Sequence, residues 1–436
     1  MDFEIWGGLI SLAILVVIGV PVVFAFAVSA AMGLYLIFGS WEPVANLLQQ
    51  TAISGIKEYN FVVIPLFTVM GMLIAHCGAA RDLFAVVNRG LKGVPGRLAV
   101  ATVGGNAMFA AVTGVGVASA AAFSHVAYPV MRAHNYKRSY AVGCIAGSSV
   151  LGLLIPPSVF MIVWAILTEQ SVGGLFAASV FPGLLLALFY AIYCIGCAKL
   201  FPAAAPEAAD NMETQPLGRQ ELTSALGVLA LIAVTLGGIW MGYFTPTEGS
   251  AVGLAGAAIL AVAKGMRWRG LFDACVEAGR TVTPIMLLLM SAVMYSKWIA
   301  LNGVSEQVHD LLANMGLSVA ETMLFMAVAW FLLGSLIDSI SMMLLTVPIF
   351  WPIAQALGID PVVFALVGIL VIEAGVLTPP FGICVFVVKA TIPDRDIRLI
   401  DIFKGAAPYW MMVLLLAWLI WMIPGIATWL PSKMMG

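Results

Sequence analysis

The chain has 436 residues, 62% of them hydrophobic and 10% charged, with a formal net charge of −2. A soluble domain carries about 25% charged residues, so this is an integral membrane protein, and apolar runs as long as residues 5–38 fit spanning helices rather than the short alternating strands of a barrel. No basic cluster large enough for nucleic acid, no Walker A sequence, no nucleophile motif and no histidine pair at metal-ligand spacing is present, which excludes nucleic-acid binding and ATP hydrolysis and leaves catalysis without support.

The first helices occupy residues 1–59. Asp2 and Glu4 stand where a secretory signal is basic, and the apolar run behind them is too long for one, so the segment is expected to be retained. A first repeat is expected over residues 60–183. Arg81, Arg89, Lys92 and Arg97 form one basic cluster and Arg132, Lys137 and Arg138 another, which places both loops on the cytoplasmic side. Residues 81–96 mix charged and apolar groups at helical spacing, as an interfacial helix or a plain amphipathic connector does. Residues 98–131, between the clusters, must enter and leave by one face. They are too few for two crossings, which need roughly 40 apolar residues, and a re-entrant hairpin fits. Its tip, Thr113-Gly114-Val115-Gly116-Val117-Ala118-Ser119, has the small residues of a tight turn with exposed backbone. Ile155-Pro156-Pro157 then breaks an apolar stretch flanked by the hydroxyls of Ser148, Ser149 and Ser158.

Residues 184–283 are expected to form connecting helices around a polar linker, 201–221. Cys194-Ile195-Gly196-Cys197 matches C-x-x-C only in spacing, and the cysteines in apolar segments read as small hydrophobes. A second repeat is expected over 284–408. From Asn302 to Pro361 the acidic residues Glu306, Asp310, Glu321, Asp338 and Asp360 occur without lysine or arginine, so these loops read as external. Residues 322–353 would be a second hairpin, entering from the opposite face with Asp338 near its middle. Thr378-Pro379-Pro380 breaks the next apolar segment, and residues 409–436 supply a closing helix.

One offset of 223 residues carries Pro156-Pro157 onto Pro379-Pro380 and Pro129 onto Pro352. Matched broken segments point to a midplane binding site in a carrier built from inverted repeats. Asp338 is an ionisable side chain inside a membrane segment, a costly placement that marks ion or substrate pathways. With Ser335, Ser339, Ser341 and freed carbonyls it offers hard oxygens to an alkali cation or a proton, or else it caps the second hairpin arm. Glu373, just before the second break, reads as a coupling group or as a structural carboxylate.

Several short pieces occur in order along nearly the whole chain. They are Gly19-Val20-Pro21-Val22 in the first helix, Ile64-Pro65-Leu66-Phe67 with Met70-Gly71, Gly152 to Ser158, Thr168-Glu169-Gln170-Ser171, and Phe181-Pro182-Gly183. Phe244 to Gly249, the Asp338 segment with Pro348 and Pro352, and Thr378 to Gly382 follow. Together they resemble the large membrane subunit, M or DctM, of the tripartite ATP-independent periplasmic (TRAP) transporters. The resemblance implies an all-α integral membrane protein of about eleven transmembrane helices plus two re-entrant hairpins in an inverted-topology repeat, working as an elevator. It implies a secondary transporter of a bacterial or archaeal cytoplasmic (inner) membrane, not an enzyme, with no cofactor and Na+ as coupling ion. The substrate would be an organic acid, a C4-dicarboxylate, sugar acid or similar carboxylate, received from a periplasmic substrate-binding protein. A separate small four-helix membrane subunit is the expected second partner.

Carried onto this sequence, one sodium site involves Thr113, Gly114, Gly116 and Ser119 with Ser148, Ser149 and Pro156. A second involves Asp338, Ser339 and Ser341 with Thr378 and Pro379. The substrate lies between the tips, at Gly114, Val115, Pro157, Ser158, Ser339 and Pro380, where N–H groups at half-helix ends meet a carboxylate. The first tip in relatives often reads Ser-Gly-Ser, and Val115 here lacks the second hydroxyl. A one-component carboxylate carrier and a channel with two pore loops are the other readings.

Overall fold

The computed structural model describes residues 2–57, 59–206, 218–314 and 316–435, and these are all helix and connecting turn. The middle of the expected polar linker, residues 207–217, lies outside the described residues. The chain opens with α1 (Asp2–Val17), α2 (Val22–Phe38) and α3 (Trp41–Lys57). Gly19-Val20-Pro21-Val22 is therefore not inside a first helix, as expected, but is the turn between two. Gly19 takes φ 89, a left-handed conformation that ends α1, and Pro21 pre-sets the entry to α2.

After a 3-10 turn at Tyr59–Val62 come α4 (Val63–His76), the amphipathic α5 (Ala79–Gly90), α6 (Arg97–Thr113) and α7 (Gly116–Ala133). The broken segment is α8 (Arg138–Ser148), α9 (Leu151–Leu154) and α10 (Val159–Thr168), bent by 42° at the proline pair. Then follow α11 (Val172–Leu200), α12 (Arg219–Trp240), α13 (Pro246–Ala263), α14 (Trp268–Asn302) and α15 (Val304–Asn314). The chain finishes with α16 (Val319–Gly334), α17 (Ser339–Ala356), α18 (Pro361–Val376), α19 (Ile383–Thr391), α20 (Leu399–Met422) and α21 (Gly425–Met435). The motif Phe244 to Gly249 is a helix start. Thr245 accepts from the Glu248 N–H at 3.2 Å while Glu248 accepts from the Thr245 N–H at 2.8 Å, with Pro246 in the first turn of α13.

Among the described helices six are long and apolar enough to cross a bilayer, α11, α12, α13, α14, α17 and α20, or up to eight if the bent pairs α4–α5 and α8–α10 each count as one. The expected total of about eleven exceeds this number; the shorter apolar helices α2, α16 and α18 fall outside it. The element register repeats at the proline offset: 223 residues beyond the ends of α7, Gly116 and Ala133, stand Ser339 and Ala356, the ends of α17. Three of the expected boundaries, at 183, 284 and 408, fall inside α11, α14 and α20, each at or beside an internal proline. A proline inside a membrane helix does not end it when neighbours satisfy the freed carbonyl.

Close helix crossings are made by glycine. Residues 363–376 of α18 and 140–148 of α8 are buried throughout, so the broken segments form the centre of the molecule. α8 packs most extensively against α20, and a Cβ on Gly405 would lie 2.0 Å from the Ser139 carbonyl oxygen while one on Gly143 would lie 2.1 Å from the Gly405 carbonyl carbon. Between α1, α2 and α14 the buried Trp298 fills the space left by Gly8 and Gly33, whose Cβ atoms would sit 2.3 and 2.1 Å from its indole.

Candidate substrate and cation site

Each half of the chain places a helical hairpin tip on its own broken segment. In the first half α6 ends because Gly114 adopts φ 62, and its N–H closes on Ala110 O. The turn itself is only Gly114-Val115, so Thr113 is the last residue of α6, and Gly116 to Ser119 form the first turn of α7. A Cβ on Gly114 would lie 2.3 Å from Pro157 O, and the Val159 N–H donates to Gly114 O at 3.4 Å. On the far side Gly71 of α4 lets Thr113 approach, since its Cβ would stand 2.7 Å from Thr113 Cα. The tip is thus wedged between α4 and the break.

The second half repeats the contact. The Phe381 N–H donates to Ser335 O at 3.2 Å, and Gly375 meets Gly334, a Cβ on either being 3.0–3.3 Å from the other's Cα. Both breaks hold a cis Pro–Pro peptide, Pro156–Pro157 and Pro379–Pro380. The halves differ in cover: Pro156, Pro157 and Ser158 are buried under the first tip, whereas Pro379, Pro380 and Phe381 are exposed. α7 also packs on α19, and α17 on α10, so each hairpin's second arm touches the other half's short helix.

Hydroxyl groups at the first site form a closed buried network. Ser119 donates to Asn106 Oδ1 at 2.6 Å, the Asn106 amide donates to Ser148 Oγ at 2.6 Å, and Ser148 donates to Cys144 O at 2.6 Å. Asn106 ties both hairpin arms to α8 and was not picked out from the sequence. A lone asparagine in an alanine-rich run was its only signal, and it shares neither the proline frame nor a motif. Asn106→Ala should cost about 2–4 kcal/mol, through broken hydrogen bonds and a cavity between three helices, read as a lowered thermal midpoint of the purified protein.

Thr113, Ser149 and Thr378 donate to Phe109 O, Ala146 O and Gly375 O, which leaves their oxygen lone pairs free for a cation. Ser158 bridges its break, donating to Leu153 O at 2.6 Å and capping α10 by accepting from the Met161 N–H at 3.4 Å. Asp338 is the N-cap of α17: one carboxylate oxygen accepts the Ser341 N–H at 2.9 Å and the other accepts the Ser341 hydroxyl. Among the described residues no hydrogen bond joins Asp338 to the Thr378–Pro380 segment, and no group of three or more His, Cys, Asp or Glu side chains could hold a metal ion.

Of the four helices that start at a tip or a break, α10 and α17 are capped by side chains, while α7 and α19 begin at Val115 and Gly382 with no side-chain cap. These two open N-termini converge on Ser149. A Cβ on Gly116 would lie 3.0 Å from Ser149 O, and the thiol of Cys384, in the first turn of α19, faces the Ser149 hydroxyl. Uncapped first-turn N–H groups and the positive ends of two helix dipoles can attract an anion.

Six to eight candidate spans among the described residues and a buried centre of broken helices are the architecture of a membrane transport permease. Two solved transporters share the fold: the YdaH transporter of Alcanivorax borkumensis, with TM-score 0.64 and 14% identity over 90% of each chain, and MtrF of Neisseria gonorrhoeae, with TM-score 0.62 and 12% identity over 91% of this chain and 85% of that one. Within that class the chain belongs to the DctM component family of tripartite ATP-independent periplasmic transporters, which matches residues 9–426. It is 32% identical to the C4-dicarboxylate TRAP transporter large permease protein DctM of Pseudomonas aeruginosa, covering 86% of this chain and 87% of that one. It is 28% identical to the ectoine permease TeaC of Halomonas elongata, over 95% and 96%, and to the sialic acid permease SiaM of Vibrio cholerae, over 90% of each chain.

Proposed function

We propose that this chain is the permease through which an organic acid, handed over by a soluble periplasmic binding protein, enters the cell on a sodium gradient. It works in the cytoplasmic membrane beside a small four-helix membrane subunit. The observation that carries this reading is the pair of uncapped helix N-termini, α7 and α19, that meet at Ser149. Such ends favour a carboxylate, and C4-dicarboxylates, ectoine and sialic acid, for which the relatives are named, all carry one.

Sodium would be held by oxygen ligands at the two docked tips, around Thr113, Ser148 and Ser149 in the first half and Ser339 and Thr378 in the second. Hydroxyl and carbonyl oxygens suit a hard monovalent cation. The 223-residue register and the crossed packing of α7 on α19 and α17 on α10 support two inverted repeats that interlock around the substrate. In an elevator, these tips and breaks would travel as one body against the α1, α2 and α14 helices.

The test is uptake of radiolabelled organic acids into proteoliposomes that contain the chain with its small partner, with and without binding protein and an inward sodium gradient. Uptake that needs both is expected. Sodium-driven uptake without binding protein would move the chain to the one-component carriers, and uncoupled conduction would make it a channel.

A further inference from the structure

Glu373 has a placement that the family features above do not use. It lies in the wholly buried stretch of α18, is 1% exposed, and neither carboxylate oxygen has a hydrogen-bond partner. The Ser339 hydroxyl on α17 stands beside it, the Cys384 thiol on α19 and the Tyr190 phenol on α11 lie within its electrostatic reach, and none of these brings a positive charge. Ser339 stands opposite the carboxylate without completing a hydrogen bond to it. Asp338 already accepts a hydrogen bond from Ser341 on each carboxylate oxygen, whereas Glu373 accepts none.

We propose that Glu373, with the Ser339 hydroxyl, is the anionic ligand of a sodium ion bound beside the second hairpin. This inference rests on the reading of the chain as a sodium-coupled carboxylate importer. A carboxylate buried without a partner is strongly disfavoured, and a cation at its oxygens supplies the missing partner. The coupling follows from position. Glu373 lies within electrostatic reach of Cys384, in the first turn of α19, where the two open N-termini converge. A sodium ion bound there attracts a substrate carboxylate arriving at the convergence, so each ligand raises the affinity for the other. Asp338 is then a positioning residue that fixes the first turn of α17 and so aims Ser339.

Equilibrium binding of radioactive sodium to the purified protein tests this. Glu373→Gln keeps the shape and removes the charge, and should weaken sodium binding at the second-hairpin site about 100-fold or more, the range for stripping one partner from a buried charge pair, while the first site still fills. Asp338→Asn, which keeps a capping side chain, should lose less, and Glu321→Gln, at the exposed start of α16, should bind as the unmutated protein does. Labelling of the unmutated protein with dicyclohexylcarbodiimide, mapped by mass spectrometry, gives a readout independent of any variant's folding: sodium, but not potassium, should protect Glu373. Normal sodium binding by Glu373→Gln, a loss as large in Asp338→Asn, or labelling of Glu373 indifferent to sodium would overturn the assignment and leave sodium coupling standing. No sodium binding by the unmutated protein would remove the coupling ion itself.

Discussion

Gly114→Ala should reduce uptake to about 1% of the unmutated rate or less, the scale of loss when a reacting geometry is displaced by about 1 Å. Two effects combine at this residue. Its φ of 62 is left-handed, which costs an alanine about 1–3 kcal/mol. The new Cβ would also stand 2.3 Å from Pro157 O, a backbone atom of a buried break that has no flexible end to swing aside. The tip must therefore back away, lengthening the Val159 N–H bond to Gly114 O and moving the start of α7 from Ser149. A stability loss of about 2–5 kcal/mol is expected in addition. Gly39→Ala separates the two effects, since Gly39 has φ 67 but nothing within 4 Å of its Cβ. It should keep uptake and lose only the backbone term. Proteoliposome uptake with thermal unfolding measures both variants, and normal transport by Gly114→Ala would show that tip docking is dispensable.

The second large effect is on folding. Gly405→Ala puts a methyl group 2.0 Å from Ser139 O and 2.9 Å from Gly143 Cα, where α8 and α20 touch backbone to backbone. Overpacking a core commonly costs about 1–3 kcal/mol, and more where neither side can give; here both sides are helix backbone. A loss of about 3 kcal/mol or more is expected, seen as a lower thermal midpoint and a smaller monodisperse fraction in detergent. Gly143→Ala should behave alike. The double variant should lose less than the sum of the two, because one separation of the helices relieves both clashes. Gly425→Ala, at the start of α21 with nothing within 4 Å, should be neutral. Additive losses at Gly143 and Gly405 would mean that the two methyl groups are accommodated independently.

Much of the site was legible because its signals are local. Proline pairs, a glycine-rich tip and an Asp three residues before a serine act on backbone within a few residues of themselves. They locate the breaks at 155–157 and 378–380 and the turns at Gly114 and Asp338 to within a few residues. The same local grammar misled at Gly19-Pro21, where an unbroken apolar run hid a turn. Asp338 remained ambiguous in sequence because a cap and an ion ligand call for the same side chain. Its two bonds to Ser341 make it the cap of α17, a role that leaves lone pairs for an ion as well.

By itself, then, the sequence determined an all-helical membrane protein with two matched breaks, two hairpins and a family likeness, since apolar length, proline frame and motif order all lie along the chain. Tertiary structure alone decided what meets what. Asn106 reaches Ser148, Gly116 and Cys384 converge on Ser149, and Ser339 faces Glu373. The Ser149–Cys384 approach spans 235 residues of chain. Nothing in the local pattern around either residue encodes it, because it follows from how glycine-lined helices such as α8 and α20 close upon one another.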